Sequence, residues 1–216
     1  MFRILQSFFI LSIFLFIVKV SGHQYPQGWD ELQNNEGWEL VKKTDRVQIL
    51  IKQLDVSPLP AFRAELISNV DSDKLVEAAW LVEKSTEVFP NAYIIDAGVY
   101  YKRSSTSYTA FQEFDIPFLA PRLYQFHSIR LGNIIHWTRT DTINLSFNPD
   151  ELLLPPVNFG SWEIQRLGNQ SKIIYRVCTD PGGDVPLWIV EQANQQYLPL
   201  MLLDLETYSK EKIVPR

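Results

Sequence analysis

Thr179-Asp180-Pro181-Gly182-Gly183-Asp184-Val185-Pro186 punctuates the chain more strongly than any other eight residues in it. Proline presets φ, and two adjacent glycines accept the left-handed region. A strand arriving here must therefore stop and turn sharply. Asp184 stands where it can cap a new helix, and Pro186 falls in its first turn, where a missing N–H costs nothing. Val190, Ala193, Tyr197, Met201, Leu205 and Tyr208 then recur at helical spacing along one stripe. Pro199 removes one backbone hydrogen bond from that helix and predicts a kink. At about 1.5 Å per residue, a helix reaching Lys212 is about 40 Å long, enough to lie across a small sheet. This length suits a helix gripped by a curved sheet.

Upstream, the chain alternates in strands. Trp38-Glu39-Leu40 and then Val47, Ile49 and Ile51 predict two strands, and Phe62, Ala64 and Leu66 a third. Asp71 or Ser72 caps a helix carrying Leu75, Val76, Ala79, Trp80 and Val82, which Phe89-Pro90 ends. Two strands pairing across 103–106 place Tyr93, Ile95, Ala97, Val99 and Tyr101 on one face with Tyr108, Ala110, Gln112 and Phe114. A hairpin turning at Gly132-Asn133 puts Tyr124, Phe126, Ser128, Arg130, Ile135, Trp137, Arg139 and Asp141 on its aromatic, inner face. His127 and His136 take the outer face. A last hairpin, turning at 167–170, faces Trp162, Ile164, Ile173, Tyr175 and Val177 inward and Glu163, Gln165, Lys172 and Arg176 outward. Strands, one helix, more strands and a final helix read as α+β with an antiparallel sheet.

The chain has 216 residues, enough for one substantial core, with 46% hydrophobic and 21% charged residues. A net charge of −5 argues against a nucleic-acid partner. Cys178, His23, His127 and His136 form no metal-ligand pattern, and G-x-G-x-x-G, Walker and G-x-S-x-G motifs are all lacking. No cofactor or metal is expected. Residues 1–22 read as a signal peptide: Arg3 leads, the span from Phe8 to Val18 is apolar, and Val20-Ser21-Gly22 offers a cleavage site before His23. An uncleaved anchor is the competing reading, against which Lys19 shortens the apolar run. Residues 23–35 form a lead-in, and 36–213 the folded domain. Asn144-Leu145-Ser146 and Asn169-Gln170-Ser171 match the glycosylation acceptor pattern, although Asn169 beside Gly168 is simply explained as a turn residue. The segment from Thr142 to Pro156, with Leu152-Leu153-Leu154, is a long connection of the kind that often carries function.

Four stretches, in order, give the chain a family likeness. Asp115-Ile116-Pro117-Phe118 with Arg122-Leu123-Tyr124 resembles the "D-L-P-W…R-D-F" segment of START domains, with Leu123 in place of Asp. Gly160-Ser161-Trp162-Glu163-Ile164 resembles their "G-x-W-x-L" strand, Tyr175 falls at their next strand's tyrosine, and 179–190 resembles their last-helix signature. The resemblance covers about Trp38 to Lys212. It implies a helix-grip fold, a curved antiparallel sheet wrapped around the C-terminal helix, with an internal apolar cavity. It also implies a lipid or sterol-like ligand, without catalysis. Polyketide cyclases and aromatases share that fold and supply the alternative, an enzyme that would draw its acid or base from Arg130, Arg139, Asp141, Tyr101, Tyr108, Tyr124 or Tyr175. A third alternative is an interaction module whose cavity is filled by its own side chains.

The expected ligand-binding residues are Tyr124, Phe126, Arg130, Trp137, Trp162, Tyr175, Tyr197 and Met201, with no catalytic residue assigned. Arg130 is singled out because no carboxylate stands directly across from it, so a distant carboxylate, water or a ligand head must meet it. The expected protein is an exported monomer, periplasmic or secreted, touching membranes transiently and able to move its ligand between them.

Overall fold

The computed structural model describes residues 25–117, 119–140 and 152–213. The signal-peptide reading, Asn144, Asp141 and most of the 142–156 connection lie outside those residues. Nine strands form one antiparallel sheet: β1 (Glu39–Lys43), β2 (Val47–Lys52), β3 (Ala61–Ser68), β4 (Ile94–Ser104), β5 (Ser107–Phe114), β6 (Arg122–Leu131), β7 (Ile134–Arg139), β8 (Val157–Leu167) and β9 (Gln170–Asp180). Their order is β1-β2-β3-β9-β8-β7-β6-β5-β4. The α-helices among the described residues are α1 (Trp29–Gln33), α2 (Ser72–Trp80), α3 (Ser85–Val88) and α4 (Leu187–Lys212). Asp71 caps α2 by accepting from the Asp73 N–H, as its sequence position implies. The helical stretch to Phe89-Pro90 is not continuous: it breaks at Leu81 and resumes as a 3-10 turn and α3.

The principal core lies between the concave face of the sheet and the helices. Phe62, Ala64, Leu66, Tyr108, Ala110, Phe126, Ile135, Trp137, Trp162, Ile164 and Ile173 meet Leu75 and Val76 of α2 and Leu198, Leu202 and Leu205 of α4. Helix α4 forms the 26-residue element that its sequence promises. Its contacts run along Leu198, Leu202, Leu205 and Ser209, so Tyr197 and Met201 flank the buried stripe instead of centring it. Its cap also differs from expectation. Pro186 occupies the N-cap position without a side-chain cap, while Asp180 Oδ1 accepts from the Gly182 N–H at 2.9 Å and fixes the turn before it. Gly182 and Gly183 both take φ 72°, the conformation for which glycine was needed.

Pro199 sits inside α4 and cannot donate to the carbonyl of Gln195 four residues earlier. Lys42 of β1 reaches across and donates to that oxygen at 2.9 Å, so the acceptor freed by proline is satisfied from the sheet edge.

The paired strands bear out two of the three expected hairpin registers: Leu131 opposes Ile134, and Leu167 opposes Gln170. The β4–β5 pair departs from expectation. Its register shifts between Ile94 and Asp96, and again between Val99 and Tyr101. Each shift inserts a residue and turns the flanking side chain over. Ile95 and Tyr101, expected inside, are therefore exposed, and Ile94 packs on the core in their place.

The convex face is partly covered as well. Paired residues Arg63, Arg176, Ser161 and His136 form one row across β3, β9, β8 and β7. The lead-in crosses this row and bonds to it in step. Asn35 Oδ1 accepts from Arg63 and Arg176 at 2.9 and 3.2 Å, Gln33 accepts from Ser161 at 3.1 Å, and the Tyr25 hydroxyl meets His136 Nδ1 at 2.9 Å. Trp29 and Leu32 seal a second small core with Leu54, Ala61, Phe159 and Cys178. His136, read from the sequence as a surface residue, lies half-buried under Tyr25 and Trp29. Arg176, read as outward, does face outward but is 1% exposed beneath this strap. A buried guanidinium needs a counter-charge, and Glu163 supplies it at 2.7 Å.

Candidate ligand-binding site

Antiparallel pairing places Ile135, Trp162 and Tyr175 side by side on the concave face, and Trp137 opposite Gly160. Gly160 is needed there, because a Cβ at that position would overlap both the Trp137 ring and the Arg176 carbonyl oxygen. The aromatic rings consequently close up. Tyr175 lies 4.4 Å from Trp162 and 5.4 Å from Trp137 between ring centroids, and Trp162 stacks on Phe89 at 5.9 Å. Tyr124 packs edge-on against Phe114 at 5.0 Å. Phe126 is buried in the same core.

Tyr124 and Tyr175 combine two properties. Burial pushes both phenols above their ordinary pKa. Both are half-buried and pack against the principal core. The Thr179 hydroxyl donates to the Val157 carbonyl at 3.1 Å. Trp137 Nε1 donates to Asn158 Oδ1 at 3.2 Å. Tyr124 and Asn158 further line a pocket of about 70 Å³ with Leu123, Gln125, Arg139, Thr140, Leu154 and Pro155.

Of the eight expected residues, the structure gathers Tyr124, Phe126, Trp137, Trp162 and Tyr175 on one concave surface. Met201 is half-buried against the same core. Tyr197 lies at the rim, donating to the Tyr93 hydroxyl at 3.1 Å, with the two rings edge-to-face at 5.0 Å. Arg130 is six residues from Tyr124 along β6, about 20 Å at the ordinary strand rise. There it pairs with Glu77 of α2 at 2.9 Å, so a carboxylate meets it. Trp80, Ser105 and Thr106 join that ion pair around an open cleft of about 370 Å³. Sequence reasoning missed Asn158 because it started the strand too late; carrying the parity of Trp162 back four residues would have found it. Phe89 has no such signal, since its position depends on how α3 folds back.

Among the described residues, no group of three or more His, Cys, Asp or Glu is placed to hold a metal ion. Helix α4 meets α2, α3 and strands β2 and β3. Leu187 and Trp188 of its first turn are 45% and 63% exposed, beside Leu153, whose side chain approaches Gly183.

A curved nine-stranded antiparallel sheet with a 26-residue C-terminal helix packed on it is a helix-grip arrangement. The fold is START-like. The solved STAR-related lipid transfer protein from Xanthomonas axonopodis superposes with a TM-score of 0.70 at 17% identity, covering 82% of this chain and all of the other. Human STARD10 gives 0.73 at 17% identity, over 88% of this chain and 82% of the other. The Zhui aromatase/cyclase from Streptomyces sp. R1128 shares the START-like architecture at 0.54 and 10% identity, over 71% and 95% of the two chains. No protein-family model and no curated protein matches the sequence.

Proposed function

We propose that this is an exported START-like carrier that binds one hydrophobic small molecule, a lipid or sterol-like compound, between the sheet and α4, and moves it between membranes. The observation that carries the reading is the aromatic concave surface of Tyr124, Phe126, Trp137, Trp162 and Tyr175 in a START-like fold. Apolar surface removed from water gives about 25 cal/mol per Å², so a long ligand binds there without any charged contact. The exposed Leu153, Leu187 and Trp188 suit brief contact with a bilayer at the rim where α4 begins. The lipid-transfer neighbours support the same reading by fold.

An aromatase/cyclase-type enzyme is the alternative, supported by the fold of such neighbours. It would need a proton donor or acceptor poised near neutral pH. Burial keeps Tyr108, Tyr124 and Tyr175 protonated well above that range, which favours the carrier. Native mass spectrometry of protein recovered from its own exporting host tests the reading. The expected species is a monomer beginning near His23 with one hydrophobic adduct. A chain that arrives empty and fails to take up any fluorescent lipid or sterol would refute the carrier. Met1 intact in the exported fraction would refute the signal-peptide reading.

A further inference from the structure

We infer that the open cleft between α2 and the β4–β5 turn binds a neutral polyhydroxylated ring, a sugar of the pyranose kind, at a site separate from the aromatic concave surface. The inference does not rest on the carrier reading. The cleft holds about 370 Å³ and is lined by Glu77 and Trp80 of α2, Ser105 and Thr106 of the turn, and Arg130 of β6. That volume lies in the lower part of the roughly 300–1,000 Å³ range of small-molecule sites. The Arg130 backbone N–H donates to the Thr106 carbonyl at 2.9 Å, so the turn and β6 are fixed against one another.

The polar groups of the cleft are held in place on one side and unused on the other. Glu77 Oε1 accepts from Arg130 Nη1 at 2.9 Å, and Arg130 Nε donates to the Gly132 carbonyl at 3.2 Å. Among the described residues, Glu77 Oε2 and Arg130 Nη2 make no hydrogen bond, and neither atom is sealed from solvent. One ion pair therefore offers a charged acceptor and a charged donor side by side. Adjacent ring hydroxyls satisfy both at once, one donating to the carboxylate while its neighbour accepts from the guanidinium. The Ser105 hydroxyl is exposed and also has no partner among the described residues. Trp80 supplies the apolar counterpart. Its ring is backed by Tyr108 at 4.2 Å, and the Tyr108 hydroxyl donates to the Trp80 carbonyl at 3.4 Å. The electron-rich face of an indole attracts the polarised C–H groups on the flat side of a sugar ring.

Charge selects the class of ligand. The two ions lining the cleft cancel, so an anion that approaches Arg130 meets Glu77 as well, and a cation meets the reverse. Either must break the 2.9 Å pair or give up hydration without a full counter-charge. An apolar ligand would leave the unused donor and acceptor dry. A neutral polyol avoids both costs.

Saturation-transfer NMR and calorimetry on the intact protein test this with methyl β-glucopyranoside, the open-chain polyol sorbitol, inorganic phosphate and choline. The glucoside is expected to bind with a Kd on the order of 1 mM, at least tenfold more tightly than the other three. Glu77→Gln should weaken it about tenfold. Ser105→Leu, at an exposed turn position that leaves the fold undisturbed, should fill the cleft and abolish binding at unchanged Tm. Dehydroergosterol uptake should be the same in wild type and Ser105→Leu; a parallel loss of sterol and sugar would overturn the separate site. Phosphate or choline binding as tightly as the glucoside would overturn the neutral class, and sorbitol doing so would overturn stacking on Trp80. Glucoside binding untouched by both substitutions would overturn the location. No glucoside binding at all would overturn the inference and leave the carrier standing.

Discussion

Arg176→Met tests whether the strap across the convex face is held electrostatically. Arg176 is 1% exposed and donates to Glu163 Oε2 at 2.7 Å and to Asn35 Oδ1 at 3.2 Å. Methionine keeps most of the apolar stem and removes every donor. Glu163 keeps a bond from Gln165 and about a quarter of its side-chain surface, so water can replace part of what it loses. Asn35 keeps the bond from Arg63. The loss therefore lies below the roughly 3–5 kcal/mol of a fully buried broken pair and near the roughly 1.5–3 kcal/mol of a charged hydrogen bond. Relief of the repulsion between directly paired Arg63 and Arg176 trims it further. A loss of about 2 kcal/mol should lower the Tm by about 4–8 °C in a chain of this size. Calorimetry and urea titration measure it, alongside Asn35→Ala and the double variant. If the strap is seated through Arg176, the two single losses should exceed the double. Strict additivity, or a loss under about 0.5 kcal/mol, would refute the reasoning.

Two further outcomes follow from the geometry. Gly160→Ala should destabilise by about 1–3 kcal/mol or more, because the new methyl meets a backbone carbonyl as well as the Trp137 ring, and quenching of tryptophan fluorescence should change with it; wild-type stability would dismiss the close approach. Burial alone would raise the pKa of Glu163, but hydrogen bonds from Gln165 and Arg176 and the charges of Arg176 and Arg63 bring it below the ordinary carboxylate value. A depressed folded pKa means stability present above the unfolded value of about 4.3 and lost as pH falls through the folded one. Glu163→Gln should be less stable at pH 7 and lose less on acidification than wild type, read by urea midpoints across pH 3 to 7.

The hairpins show what a sequence can reveal. Gly132-Asn133 and Gly168-Asn169 are two-residue turns, and such a turn fixes register, so counting by twos placed Tyr124, Trp137, Trp162 and Tyr175 on the concave face. The same counting failed on β4, where bulges reversed Ile95 and Tyr101; nothing in that run of residues marks the insertions. On α4, apolar residues occur on adjoining stripes, and the choice between Tyr197–Met201 and Leu198–Leu202 is settled by the kind of surface it meets. Arg130 found Glu77, 53 positions earlier in the chain, and no local pattern announces such a pairing. The strap was hidden for a related reason. Its contacts are made by Gln33 and Asn35, polar residues that a hydrophobicity pattern leaves as linker.

That strap also orders events in time. Tyr25, Gln33 and Asn35 bind partners 111, 128 and 141 positions further along the chain. Contacts so distant in sequence close large loops and form late. On a chain synthesised from its N-terminus, this segment is made early yet has no seat until β7, β8 and β9 have been laid down beside one another. Its docking reports that the sheet is complete, and a probe on Trp29 of α1 would register that late step of folding.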